Sequence, residues 1–210
     1  MTETPERKIP TRESFQEAYS HQGPLPWDIG RPQTPFIDVV DQMRAPILDV
    51  GCGRGDAALY LAKLGLQVMG IDFIDEPLQA ARQRAAERDL NVTFEARDAL
   101  ELESWTAKFR SVIDCGLFHA FHDENRSRYV AGLANILEAG GKLFLMTGRE
   151  GEPRSMPRVS EQEIRDAFAT GWEIESIKPV VYDLNPKFEF PGGPFDDPAM
   201  GWFSVIRRVG

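Results

Sequence analysis

A glycine-rich segment near residue 50 constrains the fold of this chain more than any other feature. The run ILDVGCGRGD places a short apolar stretch, Ile47–Val50, directly before a glycine turn and an Ala- and Leu-rich segment. Gly51 and Gly53 permit a tight turn in which the backbone approaches a ligand closely. A strand, a glycine turn and a helix in this order predict the first unit of an open sheet that binds its ligand at the carboxyl edge.

The rest of the chain continues the alternation of strands and helices. After Ile47–Val50, strands are predicted at Gln67–Phe73, Asn91–Glu95, Ser111–Asp114, Lys142–Met146, Trp172–Val181 and Met200–Arg208. Helices are predicted at Asp56–Leu64, at Asp75–Glu87, from Asp123 to the Gly140–Gly141 pair, and from the Ser160/Glu163 capping box to Gly171.

This order of elements predicts an α/β, Rossmann-like fold with helices on both faces of a mostly parallel, seven-stranded sheet. No helix separates the last two predicted strands. We therefore expect them to pair antiparallel at the edge of the sheet, with the last strand inserted beside the fifth.

A length of 210 residues fits one domain. Within residues 1–210 we expect residues 1–35 to form an N-terminal arm or lid, with a short helix near Ser14–Tyr19. We expect the Pro- and Gly-rich residues 182–199 to form an insert on the substrate side.

Charge and composition exclude several classes of protein. The chain has 24 Lys and Arg against 33 Asp and Glu, a net charge of −9, which argues against a nucleic-acid partner. Its two cysteines, Cys52 and Cys115, form no CxxC pair, so we expect neither a metal site nor a disulfide framework. The chain shows no secretory signal and no apolar run of about 18 residues, so we expect a cytoplasmic protein without membrane contact. Its oligomeric state stays open.

The glycine turn and a later acid together predict the class of cofactor. Asp72 ends the second predicted strand 21 residues after Gly51, where a carboxylate binds ribose hydroxyls. Dinucleotide sites prefer G-x-G-x-x-G, whereas this turn is G-x-G-x-G with Asp56 at the start of the helix. An acid there would repel a pyrophosphate and suit a cofactor with a cationic centre, such as S-adenosylmethionine. A dinucleotide-dependent oxidoreductase and a plain structural turn remain alternatives.

The chain from about Pro26 to Arg208 resembles the class I S-adenosylmethionine-dependent methyltransferases. The similar segments are LDVGCGRG, GIDF, EARDAL, VIDCGLFHAF and LEAGGKLFLMT, in the family's order. One departure is Arg110, where many relatives have Asp. The resemblance implies cofactor contacts by Trp27, Asp49, Gly51, Cys52, Gly53, Asp72, Phe73, Asp98, Ala99, Cys115 and Gly116.

Several of these residues receive a role from the resemblance. The glycine loop would run beside the methionine part of the cofactor. Asp72 would bind the ribose hydroxyls, and Phe73 would lie against the adenine. Asp98 would accept the adenine amino group beside a backbone contact from Ala99, and Cys115 with Gly116 would form the floor of the cofactor site.

A second, narrower resemblance concerns the N-terminal region. YSHQGPLPWDIGRPQTPF is similar to a segment of small-molecule methyltransferases that act on thiopurines, thiols and heterocyclic toxins. In that group the loop covers the cofactor, which would place Trp27 near the sulfonium, where an aromatic face favours a cation. Simple anchoring of the arm by Trp27 remains an equal alternative.

Methyl transfer requires an acceptor atom held in line with the activated methyl and, for a hydroxyl acceptor, a base. His119 and His122 follow the fourth predicted strand and are the candidate bases, with packed or solvent-facing histidines as the alternative. We expect a small, aromatic or heterocyclic acceptor, methylated on O, S or N. Its pocket would come from the arm, Phe118–His122, Gly148–Arg158 and the insert, which include Tyr19 and Tyr182. A non-catalytic protein that binds S-adenosylmethionine remains an alternative.

Overall fold

The computed structural model describes residues 10–20, 23–149, 158–189 and 200–210. The strands are β1 (Ile47–Val50), β2 (Val68–Asp72), β3 (Thr93–Ala96), β4 (Phe109–Cys115), β5 (Leu137–Gly148), β6 (Trp172–Val181) and β7 (Met200–Arg208). The α-helices are α1 (Arg12–Ser20), α2 (Thr34–Asp38), α3 (Asp56–Lys63), α4 (Asp75–Ala86), α5 (Asp123–Ile136) and α6 (Glu161–Ala167). Short 3₁₀ helices cover Val40–Gln42, Ala99–Ser104 and Phe118–Ala120.

The seven strands form one sheet in the order β3-β2-β1-β4-β5-β7-β6. The first five pair in parallel, and β7 pairs antiparallel with both β5 and β6. The predicted Rossmann-like sheet, its antiparallel last strand and the position of that strand beside β5 are confirmed.

Both faces of the sheet are covered by helices, so the strands at the centre are apolar on both sides. One core cluster joins Leu48, Val112 and Leu145 to residues of α5 and α6. The other joins Ile47 and Ile113 to residues of α2, α3 and α4. This burial holds the carboxyl ends of β1, β2 and β4 side by side at one edge.

The predicted boundary between α5 and β5 differs from the structure. α5 ends at Ile136 and β5 begins at Leu137, because Leu137 pairs with Phe109 on β4 before a shift in register. The Gly140–Gly141 pair therefore lies inside β5 and does not end the helix. The N-cap of α5 is His122, and Asp123 is the first helical residue.

The predicted arm and insert are described only in part. Residues 1–9, 21–22 and 190–199 lie outside the described residues, as do residues 150–157 after β5. Over the described ranges, no helix is both long and apolar enough to cross a membrane.

Candidate active site

Three carboxylates lie at the carboxyl ends of neighbouring strands. Asp49 is on β1, Asp72 ends β2 and Asp114 is on β4, and each is buried. β1 lies between β2 and β4, so the three strand ends bring their acids to one edge of the sheet. Asp114 was not predicted as a site residue, although its position one residue before the end of β4 is the signal that could have identified it.

Asp72 holds the glycine loop in place. Its Oδ2 accepts a hydrogen bond from the Gly53 N–H at 3.0 Å, and its Oδ1 accepts one from the Ile74 N–H at 3.0 Å. Burial raises the pKa of Asp72, and these hydrogen bonds oppose that rise. A carboxylate has about four acceptor positions, so both oxygens retain room for a further donor.

Asp49 and Asp114 are buried on opposite faces of the sheet, Asp49 towards α3 and Asp114 towards α5. Asp49 accepts a hydrogen bond from the Ala58 N–H of α3 at 3.1 Å, and Asp114 accepts one from the Tyr129 hydroxyl at 2.9 Å. Burial raises the pKa of each carboxyl group to about 7, opposed by these hydrogen bonds. The negative charges of neighbouring carboxylates contribute to the raised pKa of Asp49. Asp49 lines the narrow compartment, where an ionised carboxylate favours a cation nearby.

The glycine loop itself has little free space around its backbone. Gly51 and Gly53 have φ values of 67° and 51°, the region that favours glycine. A Cβ atom on Gly53 would lie 2.7 Å from the Tyr19 hydroxyl oxygen, and one on Gly51 would lie 3.2 Å from the Leu117 Cβ. The loop is therefore sandwiched between α1 and the segment that follows β4.

The cleft at this edge has two compartments that share Gly51. The wide compartment has a volume of about 260 Å³ and extends over β2 and β3. In the 3₁₀ helix beside it, the Leu100 N–H donates to Asp98 Oδ1 at 2.9 Å. The predicted site residues that line the wide compartment are Gly51, Asp72, Phe73, Asp98, Ala99 and His122.

The narrow compartment has a volume of about 100 Å³ and lies between the glycine loop and the N-terminal loop. Arg31, Gln33 and Phe36 form part of its wall and were not predicted as site residues. The predicted site residues that line it are Trp27, Asp49, Gly51, Cys52, Gly53 and Cys115. Gly116 is absent from the described lining of either compartment, but it follows Cys115 directly and its φ is 92°.

Both cysteines are poor nucleophiles in this setting. Burial raises the pKa of the Cys52 thiol, with the charges of Asp49 and Asp72 adding to the effect. The Cys115 thiol is open to the narrow compartment but otherwise enclosed by protein, and this enclosure raises its pKa, again with Asp49 contributing. Both groups stay protonated, which suits a lining role.

Trp27 packs on α1 and also faces the narrow compartment. Its ring makes edge-on contacts with Phe15 and Tyr19, each with centroids 6.2 Å apart, and the residue is 43% exposed. Phe15 in turn contacts Phe73 edge-on at 6.3 Å. The geometry thus anchors the arm and leaves part of the Trp27 ring open to a ligand, so it accommodates both of the predicted roles.

Charged groups pin the N-terminal loop to the glycine turn. Asp28 forms an ion pair with Arg54 of the turn. The Gly30 N–H donates to Asp56 Oδ2 at 2.9 Å, while Arg84 of α4 pairs with Asp56 Oδ1 at 2.6 Å. The charge of Asp56, which the sequence indicated as a partner for a cationic cofactor, is therefore met by Arg84.

The segment after β6 is joined to the same N-terminal loop. Gln33 and Asp183 exchange two hydrogen bonds, from Gln33 Nε2 to the Asp183 carbonyl at 2.9 Å and from the Asp183 N–H to Gln33 Oε1 at 2.8 Å. Thr34 donates to the Asp183 carboxylate through its N–H and its hydroxyl, and the Asn185 N–H donates to the Pro26 carbonyl. Segments far apart in sequence thus form one cover.

The two candidate bases lie away from the narrow compartment. His119 is 7% exposed, and its Nδ1 accepts a hydrogen bond from the Gly148 N–H at 2.7 Å. Its ring lies beside Gly116, where an added Cβ would be 3.3 Å from Cε1. His122 is exposed and lines the wide compartment. Neither belongs to the described lining of the narrow compartment.

Within the described ranges, no group of three or more His, Cys, Asp or Glu side chains is arranged to hold a metal ion. The acids at the strand ends are instead hydrogen-bonded to backbone N–H groups. The site therefore offers carboxylates, backbone groups of the glycine loop and aromatic rings.

Comparison with known proteins gives consistent matches. A family model described as "Methyltransferase domain" matches residues 47–141. The chain is 29% identical to the 2-heptyl-1-hydroxyquinolin-4(1H)-one methyltransferase of Mycobacteroides abscessus, over 92% of this chain and 93% of that protein. It is 32% identical to the ubiquinone biosynthesis O-methyltransferase of Xanthomonas oryzae pv. oryzae, over 75% of this chain and 79% of that protein.

Among solved structures, one chain superimposes with a TM-score of 0.82 at 28% identity. The superimposed region covers 95% of this chain and 93% of the other chain. The other structure comes from work on the conversion of a disulfide bond into a thioacetal group during echinomycin biosynthesis. The likeness therefore extends through the N-terminal loop and the strands after β5, well beyond residues 47–141.

Proposed function

Because this chain belongs to the class I S-adenosylmethionine-dependent methyltransferases, we propose that it methylates a heteroatom of a small, planar aromatic or heterocyclic molecule. The observation that carries the proposal is the narrow compartment, whose wall combines Trp27, Phe36 and the open thiol of Cys115 next to the glycine loop. The same wall also carries charged side chains such as Arg31 and Asp49, and aromatic surface beside a few polar groups suits a small planar ligand. The nearly full-length relative from Mycobacteroides abscessus, named for a hydroxyquinolone, supports this class of acceptor.

The residues of the cleft fit S-adenosylmethionine, which supplies a methyl group on a cationic sulfur. Asp72 has free acceptor positions for ribose hydroxyls in the wide compartment, and Asp98 and Phe73 line the same compartment where an adenine would be held. Gly51 lines both compartments, so a ligand that spans them would pass beside the glycine loop. The carboxylate of Asp49 in the wall of the narrow compartment complements a positive charge beside it.

The acceptor end of the site acts by position and by excluding water. A bound acceptor held in line with the transferable methyl gains rate from proximity alone. The cover formed by the N-terminal loop and the segment after β6 lies over this end, and Arg31 in its wall is paired with Asp183. Position alone can suffice for acceptors that are already ionised, such as thiols or acidic heteroaromatic hydroxyls. A net charge of −9 disfavours nucleic acids.

The hydrogen bond at His119 bears directly on its predicted role as a base. A neutral histidine whose Nδ1 accepts the Gly148 N–H carries its proton on Nε2, so it has no free lone pair for a further proton. This favours a positioning role, in which His119 fixes the backbone at the end of β5. The base role of His119 and of His122 stays a prediction that variants can test.

His119→Ala is expected to lower Tm by about 2–8 °C, since it removes a buried hydrogen bond worth about 1–2 kcal/mol in a chain of this size. His119→Asn keeps an acceptor oxygen where Nδ1 stood and should recover most of that loss. Neither variant should change the pH dependence of kcat/KM. Thermal melts and pH–rate profiles of all three proteins are the measurements.

A catalytic base would give another pattern. Both variants would then lose about 10²–10⁴ in rate, and a limb with a pKa near 6–7 would vanish from the profile. Equal losses of rate in His119→Ala and His119→Asn, with unchanged cofactor affinity, would therefore support the assignment of His119 as base.

The experiment that tests the proposed function is a turnover screen with S-adenosylmethionine and a panel of heteroaromatic hydroxyls, aryl thiols and ring-nitrogen heterocycles. Mass spectrometry would report a mass gain of one methyl group, and fragmentation would identify the methylated atom. We expect turnover of planar bicyclic hydroxyls or thiols. Methylation confined to aliphatic or macromolecular acceptors would overturn the proposal.

A further inference from the structure

Tyr182, the first residue after β6, carries a buried hydroxyl without a hydrogen-bond partner among the described residues. The residue is only 8% exposed. A hydroxyl buried without a partner weakens the fold, because water is lost and nothing replaces it. Groups of this kind are uncommon in native proteins and indicate a missing ligand or solvent partner.

The ring of Tyr182 reaches from β6 back across the sheet. It rests on Gly201 of β7, where an added Cβ would lie 2.7 Å from the Tyr182 Cε2. Gly201 pairs with Gly148 at the end of β5, so two glycines leave space above adjacent strands. The next strand along the sheet is β4, which ends at Cys115.

Tyr182 is connected to the wall of the narrow compartment through its neighbours. Tyr182 packs in one core cluster with Phe36, and Phe36 and Cys115 both line that compartment. The next residue, Asp183, is held by two hydrogen bonds to Gln33, another lining residue. The backbone on either side of Tyr182 is thus fixed, by β6 before it and, after it, by the cover that forms part of the compartment wall.

We propose that the Tyr182 hydroxyl donates a hydrogen bond to a polar atom of the methyl acceptor and thereby selects acceptors that carry such an atom beside the methylated one. The inference rests on the proposed function, since it assigns a contact to the same acceptor. Burial raises the pKa of Tyr182, so the hydroxyl keeps its proton and acts as a donor. A Phe ring would fill the same space without the donor.

The test compares Tyr182→Phe with the parent enzyme, with Tyr60→Phe on α3 as a matched control for loss of a tyrosine hydroxyl from the same core cluster. The probes are 8-hydroxyquinoline and 1-naphthol, which share a shape but differ in one ring nitrogen. Each is titrated by calorimetry into the enzyme saturated with S-adenosylhomocysteine, and turnover is measured with S-adenosylmethionine.

We expect Tyr182→Phe to weaken 8-hydroxyquinoline binding about 3- to 30-fold and to change 1-naphthol binding less than about twofold. KM for the first probe should rise more than kcat falls. The affinity for S-adenosylhomocysteine should not change, and Tm should stay constant or rise because an unpaired hydroxyl is removed. Tyr60→Phe should alter none of the binding constants.

The outcomes separate the inference from the proposed function. Equal binding of both probes by parent and variant, or a variant that loses stability and all ligands together, overturns the role of Tyr182 as donor. Selective weakening of binding without methyl transfer to any acceptor supports the contact while the proposed function fails. If neither probe binds the complex, both are overturned.

Discussion

Asp72→Ala is expected to weaken the binding of S-adenosylhomocysteine about 10- to 150-fold, which corresponds to about 1.5–3 kcal/mol for hydrogen bonds to a charged group. The variant removes the acceptor for ribose hydroxyls, and it also removes the partner of the Gly53 N–H. The loss therefore combines a missing ligand contact with a loosened glycine loop. Isothermal calorimetry on the purified protein is the measurement.

Two further variants make this result specific. Asp72→Asn keeps one acceptor oxygen for a backbone N–H and should lose less affinity than Asp72→Ala. Asp75→Ala removes a carboxylate three residues away that is half exposed and pairs with Arg82 outside the cleft, so it should leave affinity unchanged. A loss below tenfold for Asp72→Ala would show that β2 does not place its last residue against the ribose.

Gly53→Val should abolish detectable binding of S-adenosylhomocysteine, a loss of more than about 100-fold. The backbone at Gly53 has a φ of 51°, and a Cβ there would meet the Tyr19 hydroxyl oxygen at 2.7 Å. The branched side chain would displace α1 from the loop and intrude where the ligand approaches the backbone. Circular dichroism at low temperature would confirm that the variant is folded before binding is measured.

Gly65→Val is the matched control for backbone strain. Gly65 follows α3 with a φ of 81°, and a Cβ there would meet none of the described atoms within 4 Å. Both variants place a branched residue at positive φ, so both should lose stability. Retained affinity in Gly65→Val beside lost affinity in Gly53→Val would assign the effect to the site. Loss of affinity in both would assign it to strain alone.

The sequence predicted those parts of the fold that depend on local pattern. The alternation of strands and helices predicted the sheet, because strands and helices in this order pack in few layered arrangements. The missing helix between the last two strands predicted the antiparallel end. The junction of α5 and β5 was less predictable. Glycines are common helix ends, yet the pairing of Leu137 with Phe109 on β4 ends the helix earlier. A local sequence pattern does not predict which residues of distant strands pair with each other.

The candidate site also has a part that the sequence predicted and a part that it did not. Ten of the eleven predicted cofactor residues line the two compartments, and Gly116 adjoins one of them. Their positions follow from the carboxyl ends of adjacent strands, which a linear sequence reveals once the strands are known. Which ligand atom each of them contacts stays a prediction.

The cover was not predictable from local pattern. Gln33 and Asp183 are 150 positions apart, and each has an ordinary loop composition around it. Only the folded chain shows that they exchange two hydrogen bonds and close the narrow compartment. His119 illustrates a related limit, because its place after β4 suggested a base whereas its Nδ1 accepts from Gly148.

The order of the strands has a consequence for how the sheet can form. β7 lies between β5 and β6, so β6 can join the sheet only through a strand that follows it in the chain. Until β7 has paired with β5, β6 with its Ile174 and Ile177 has no sheet neighbour. A chain in which β7 fails to pair therefore leaves β6 open to wrong strand pairing and to aggregation.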